Sequence, residues 1–182
     1  MDNSLPKYIN SPQSLIFDKG QILYGLNFGK EAIREKEEMI LVEGYTDVMA
    51  LYRAGIKNVV ASMGTSLTPR QGRLIKRYAE RVFVAYDQDK AGITATLRSI
   101  DLLLGADLDV KIINMPQGMD PEELVREKGK NFFIMKKEKA VPYFDYRLDI
   151  AINNHSSLES KDKVEIVNIL FSTLEKIKNS IR

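Results

Sequence analysis

The sequence predicts an α/β fold: a mostly parallel four-stranded sheet with helices on both faces, followed by a helical C-terminal segment. Short apolar runs alternate with amphipathic segments in four successive units between Met39 and Gly129, the pattern of strands joined by covering helices. Helix-start and helix-stop residues fall between the runs. Beyond Gly129 the strand pattern does not recur, and the chain reads as helix.

Taken in order, residues 1–36 form a leading arm with Pro6 and Pro12, and then "ILYGLNFGKEAIREKEE", whose helical spacing runs from Ile22 through Ile33. The four units are "MILV" with "YTDVMALYRAG", "NVVASMG" with "TPRQGRLIKRYAE", "VFVAY" with "GITATLRSIDLLLGA", and "DVKIIN" with "PEELVREKG". Thr68 before Pro69 and Asp120 before Pro121 are N-cap and first-turn signals. Gly55, Gly105 and Gly129 stand where helices should stop. "PYFDYRLDIAINNH" and "KDKVEIVNILFSTLEKI" read as amphipathic helices of a C-terminal part, 131–182, after a central domain, 37–130.

Composition excludes several chemistries. With no cysteine and a single histidine, His155, in 182 residues, thiolate nucleophiles, zinc clusters and Ser/His/Asp arrangements are poor candidates, and a metal would be a hard cation held by oxygen. His155 reads as a residue near a helix C-terminus, where positive charge is favoured. No apolar run approaches the roughly 18 residues of a membrane span, and the N-terminus carries no signal pattern, so a cytoplasmic protein with no membrane partner is expected. The net charge of +2 is small; its distribution carries more information.

Ligands of open parallel sheets sit beyond the carboxyl ends of the strands. There the sequence places Glu43 and Asp47 in "LVEGYTD", Asp87 and Asp89 in "AYDQD", and Asp120 and Glu122 in "MDPEE". Residues two apart on an extended segment face the same way, so Asp87 and Asp89 can converge on one point with Glu43. Crowded carboxylates repel unless a cation neutralises them, and magnesium suits such oxygen ligands. Singly, each acid has an ordinary alternative: Asp89 and Asp120 as helix caps, Asp47 as a first-turn acid.

Arg70, Arg73 and Arg77 share one face of the helix after Thr68, with Lys76 beside it and Leu74 and Tyr78 available for the buried face. Such a stripe is either a solvated surface or a phosphate contact. The loop "SMGTSLT" is either a phosphate cradle or a tight turn. The aromatics of "NFFIMKKEKAVPYFDY" read as core.

"EGYTDVMALYRAGIKNVVASMGTSLT", "VAYDQDKAG" and "MDPEE" resemble the Toprim domain of bacterial DNA primases, a fold also found in topoisomerases and some nucleases. "PKYINSPQSLIFDKGQILYGL" resembles the segment that precedes Toprim in that family. The resemblance implies a Toprim fold in which Glu43 is a metal ligand and acid/base group and Asp87 and Asp89 are the magnesium-holding pair. It implies further metal positions at Asp47, Asp120 and Glu122, and a template-strand contact along Lys7, Tyr8, Asn10, Ser11 and Lys19. Gln88 and Glu122 depart from the glycine and aspartate common in the family.

The activity so implied is magnesium- or manganese-dependent synthesis of a short RNA primer from nucleoside triphosphates on single-stranded DNA. A replicative helicase would be met through a domain outside this sequence. The chain then reads as a fragment that primes weakly or not at all alone. The alternatives are another Toprim enzyme, a nuclease or topoisomerase, and a non-catalytic Toprim module that binds DNA. The complete set of Glu43, Asp87 and Asp89 favours the enzyme.

Overall fold

The structure is a computed structural model and describes residues 11–12, 14, 17–62, 67–86, 97, 99–153 and 159–178. Helix α1 spans Leu26–Lys36, strand β1 Glu38–Val42, α2 Tyr45–Arg53, β2 Val59–Ala61, α3 Pro69–Lys76 and β3 Arg81–Val84. Helix α4 is described over 99–104. There follow β4 Asp109–Ile112, α5 Pro121–Lys128, α6 Lys130–Glu138, β5 Val141–Pro142, α7 Tyr143–Asn153 and α8 Ser160–Lys178.

The sheet has the order β2-β1-β3-β4-β5. The first four strands are parallel, in a register that sets Ile40 against Val59 and Phe83, and Phe83 against Lys111. The fifth strand is an addition to the four the sequence predicts: Ile112 and Lys111 pair antiparallel with Val141 and Pro142. Two residues ending in proline carry no strand period, and an edge is where proline is tolerated.

Alternation along the strands divides the core into two layers. Met39, Leu41, Val60, Val82, Val84, Val110 and Ile112 face α1, α3, α4 and α7, whose Ile33, Ile75, Leu103 and Tyr146 close over them. Ile40, Val42, Val59, Phe83 and Ile113 face α2, α5 and α6, through Leu51, Leu124 and Phe133. Phe133, Tyr143 and Tyr146 are buried, as the reading of their segment as core predicts. Each such ring removes roughly 150–250 Å² from water.

The leading arm departs from the predicted helix. Helix α1 begins at Leu26 rather than Ile22 because Gly25 turns the chain at φ 85°, a conformation glycine adopts without steric cost. A Cβ there would lie 2.8 Å from Val48 Cγ1. Just before the turn, Tyr24 exchanges two backbone hydrogen bonds with Ala61, at 2.9 and 3.0 Å. That bridge covers part of the open edge of β2.

The arm is also clamped to α3. Thr68 caps the helix as predicted, accepting the Gln71 N–H at 3.1 Å, while Gln71 Oε1 accepts the Thr68 N–H at 2.9 Å. This reciprocal capping box satisfies two backbone donors. The Thr68 hydroxyl donates to the Gly20 carbonyl, and Gln71 Nε2 donates to the carbonyls of Lys19 and Ile22, both at 2.9 Å. Gln71, Gly72 and Ile75 form the buried face of α3, with Leu74 and Tyr78 only half-buried at its border.

Candidate acidic site at the carboxyl rim of the sheet

Glu43 directly follows β1, at the carboxyl end of a parallel strand, and is half-buried. Behind it the phenol of Tyr86, which follows β3, is 3% exposed. Burial pushes that phenol up, hydrogen bonds with Ser99 and Ser62 pull it back, and the neighbouring Glu43 carboxylate pushes it up again. Ser62 and Ser99 are themselves buried. The ends of β1, β2 and β3 thus deliver a carboxylate, a hydroxyl and a phenol to one corner of the rim, and the start of α4 adds the Ser99 hydroxyl.

Asp47 sits in the first turn of α2 and is 5% exposed. Its Oδ2 accepts the Gly44 N–H at 3.0 Å and its Oδ1 accepts the Glu122 N–H at 3.1 Å. One carboxylate therefore ties the N-terminus of α5 to the turn that carries Glu43. Both helix N-termini favour negative charge, which offsets the burial of this ion.

Asp120 caps α5, its Oδ1 accepting the Glu123 N–H at 2.7 Å, with Pro121 in the first turn. The Glu122 carboxylate lies 3.4 Å from Arg126 Nη1, one turn further on. Asp47, Asp120 and Glu122 are thus brought together at the α2–α5 junction, each carboxylate holding a hydrogen bond or ion pair. Among the described residues no group of three acids converges tightly enough to hold a metal ion. Asp87 and Asp89 lie outside the described residues, as do Lys7, Tyr8, Asn10, residues 63–66 of the "SMGTSLT" loop and His155. Ser11 is exposed, and Lys19 is half-buried in the turn anchored by Gln71.

Sequence reasoning passed over two groups. Gln71 was legible in the Thr68-x-x-Gln71 spacing of a capping box. Tyr86 carries no local signal beyond ending an apolar strand. Among the described residues no helix is long and apolar enough to cross a membrane.

A sheet of four parallel strands and one antiparallel edge strand, with Glu43 following β1, Tyr86 following β3 and helices on both faces, is the Toprim α/β architecture. A Toprim-like family model matches residues 40–125. A DNA primase of Clostridium acetobutylicum is 45% identical over 179 residues, covering 97% of this chain and 30% of that protein. A DNA primase domain from Pseudomonas aeruginosa superimposes with a TM-score of 0.86 at 31% identity, covering 97% of this chain and 56% of that one. A primase catalytic domain bound to single-stranded DNA gives 0.85 at 31% identity, with coverages of 97% and 58%. The chain belongs to the bacterial DNA primase family, as the Toprim-containing part of the catalytic core. It spans a third or less of the length of the curated relatives it matches.

Proposed function

We propose that this chain carries the nucleotidyl-transfer site of a primase, joining ribonucleotides into a short RNA primer on a single-stranded DNA template. The observation that carries the reading is the Asp47 clamp, which sets the α5 acids against the Glu43 turn on rigid helices. Family membership supports the reaction class; the clamp supports the place.

The donor set fits a hard divalent cation. Every candidate ligand is a carboxylate, and Glu43 stands at a half-buried strand end, where an uncompensated cluster would be electrostatically unfavourable. Magnesium or manganese held by Glu43, Asp87 and Asp89, with Asp120 and Glu122 as further ligands, would neutralise phosphate charge and stabilise the pyrophosphate leaving group. Glu43 receives the proton of the primer 3′ hydroxyl as its oxygen bonds the α-phosphorus. The bond from that phosphorus to the bridging oxygen of the β-phosphate breaks, releasing pyrophosphate. Asp47 acts through position. Lys19 and Ser11, with Lys7, Tyr8 and Asn10, guide the template strand. The helicase contact belongs to a domain outside this chain.

The test restores the flanking domains and supplies single-stranded template, nucleoside triphosphates and magnesium. The parent should make RNA, while Glu43→Gln, Asp87→Ala and Asp89→Ala should lose about 100-fold or more of that synthesis. A parent that makes no RNA, or variants that make as much, overturns the reading. In the chain alone, calorimetric titration with manganese should show binding that Asp87→Ala and Asp89→Ala weaken.

A further inference from the structure

Helix α3 carries Arg70, Arg73, Lys76 and Arg77 and has no acid in its first turn. Arg70, Arg73 and Arg77 are exposed, on the side opposite the buried Gln71, Gly72 and Ile75. This arrangement is unfavourable for the helix itself. Arg73 and Arg77 are a like-charged pair one turn apart, which repels, and Arg70 sits at the positive end of the helix dipole.

Elsewhere the chain pairs such charges: Arg126 of α5 has Glu122, Glu123 and Glu127 within 3.9 Å. On α3, Lys76 meets Glu80 at 2.7 Å and Asp107 at 3.9 Å, and Arg70 meets Asp18 at 3.9 Å. Arg73 and Arg77 make no ion pair among the described residues. Together with Lys76 and Ala106 they line a shallow groove of about 360 Å³. At the end of the helix Arg34 of α1 adds another cation, lying over the Tyr78 ring at 4.7 Å.

We propose that this face of α3 is a track for the phosphate backbone of a nucleic-acid strand, running away from the rim along the face opposite α2 and α5. Helix α3 starts beyond the carboxyl end of β2, next to the strand that delivers Glu43, so its first arginine is at the rim and its last is remote from it. From Arg70 to Arg77 the helix rises about 10 Å. A stacked strand places a phosphate about every 3.4 Å along its axis, so the row of three guanidinium groups spans about three phosphate steps. A single small anion would not need a row of that length. The choice of a nucleic-acid strand rests on the primase reading. The track adds a contact outside the acidic site and outside the leading arm.

The experiment is fluorescence anisotropy of the 182-residue chain with labelled single-stranded DNA and, separately, duplex DNA, between about 50 and 200 mM salt. Arg73→Gln/Arg77→Gln should weaken binding about tenfold or more and lower the salt slope by about 1.4 for a single strand or 1.8 for a duplex; the affected arm identifies the strand. Arg73→Lys/Arg77→Lys should keep the slope. Lys128→Gln/Lys139→Gln, exposed and elsewhere on the surface, removes the same charge and should change affinity less than about twofold. Circular dichroism checks that each variant is folded. The inference is overturned if the arginine pair binds like the parent, if the lysine control loses as much, or if the parent binds neither DNA. Primer synthesis by the flank-restored protein is read separately, so a failed track leaves the primase reading to its own assay.

Discussion

Asp47 and Glu122 are joined across 75 residues of chain by a hydrogen bond of 3.1 Å, from the Glu122 backbone N–H to Asp47 Oδ1. The other oxygen of the same carboxylate holds the Gly44 N–H. The acidic rim is therefore organised by a buried residue that faces away from solvent, and its spacing depends on that residue more than on any exposed acid.

Replacing Asp47 with Ala leaves two backbone donors without their acceptor and should destabilise the chain by about 2–4 kcal/mol in urea unfolding. In the flank-restored protein the same change should lower primer synthesis. Asp47→Asn, which can still accept one of the two bonds, should fall between parent and Ala. Equal stability of all three would remove the clamp.

Gln71 is fully buried and serves Thr68, Lys19 and Ile22 at once. Gln71→Ala should cost about 2–4 kcal/mol and free the leading arm. Limited proteolysis around residues 18–22 is the direct check: the parent should resist and the variant should be cut. An arm that stays protected would show that the Tyr24–Ala61 bridge suffices.

Gly29 lies inside α1, where alanine would ordinarily stabilise a helix by about 1 kcal/mol. Here an added Cβ would meet the Lys57 carbonyl oxygen at 2.8 Å, with the Val59 carbonyl at 3.5 Å. Backbone atoms cannot rotate aside, so Gly29→Ala should instead destabilise by about 1–3 kcal/mol. A thermal midpoint at or above the parent's would contradict this packing.

Burial pushes the Tyr143 phenol from its ordinary 10.0 up to about 12, the Arg147 charge opposes this and Asp101 adds to it. Arg147 donates to the phenol oxygen at 3.1 Å, and the phenol donates to Asp101 at 3.3 Å. A raised folded value means the native state holds the proton more tightly than the unfolded chain. Its contribution is complete below pH 10 and is lost as pH rises towards 12, by about 2–3 kcal/mol. Tyr143→Phe lacks this titration, so its stability should fall less than the parent's across that window. Parallel alkaline limbs in urea titrations would refute it.

Much of the fold was legible. The four parallel strands, the caps at Thr68 and Asp120 and the helix stops at Gly55 and Gly129 are all local signals, readable within a turn or two of chain. The start of α1 was misread because Ile22 and Leu23 continue a helical period that the Gly25 turn and the Tyr24–Ala61 bridge interrupt. β5 has too few residues to show any period. For the site, the rim position of Glu43 followed from topology. The inward aim of Asp47 did not, since a first-turn acid is equally at home in solvent.

The sequence by itself determined the α/β pattern, the restriction to oxygen-ligand chemistry and the family motifs, because periodicity, capping and composition involve near neighbours or none. Only the tertiary structure decided that Asp47 binds Glu122, that Gln71 holds the arm, and that Arg73 and Arg77 share a groove with Ala106. Those relationships join residues about 30 to 75 positions apart. They arise when two layers of helix close on one sheet, and no local pattern records which backbone donor or which helix end a side chain will meet.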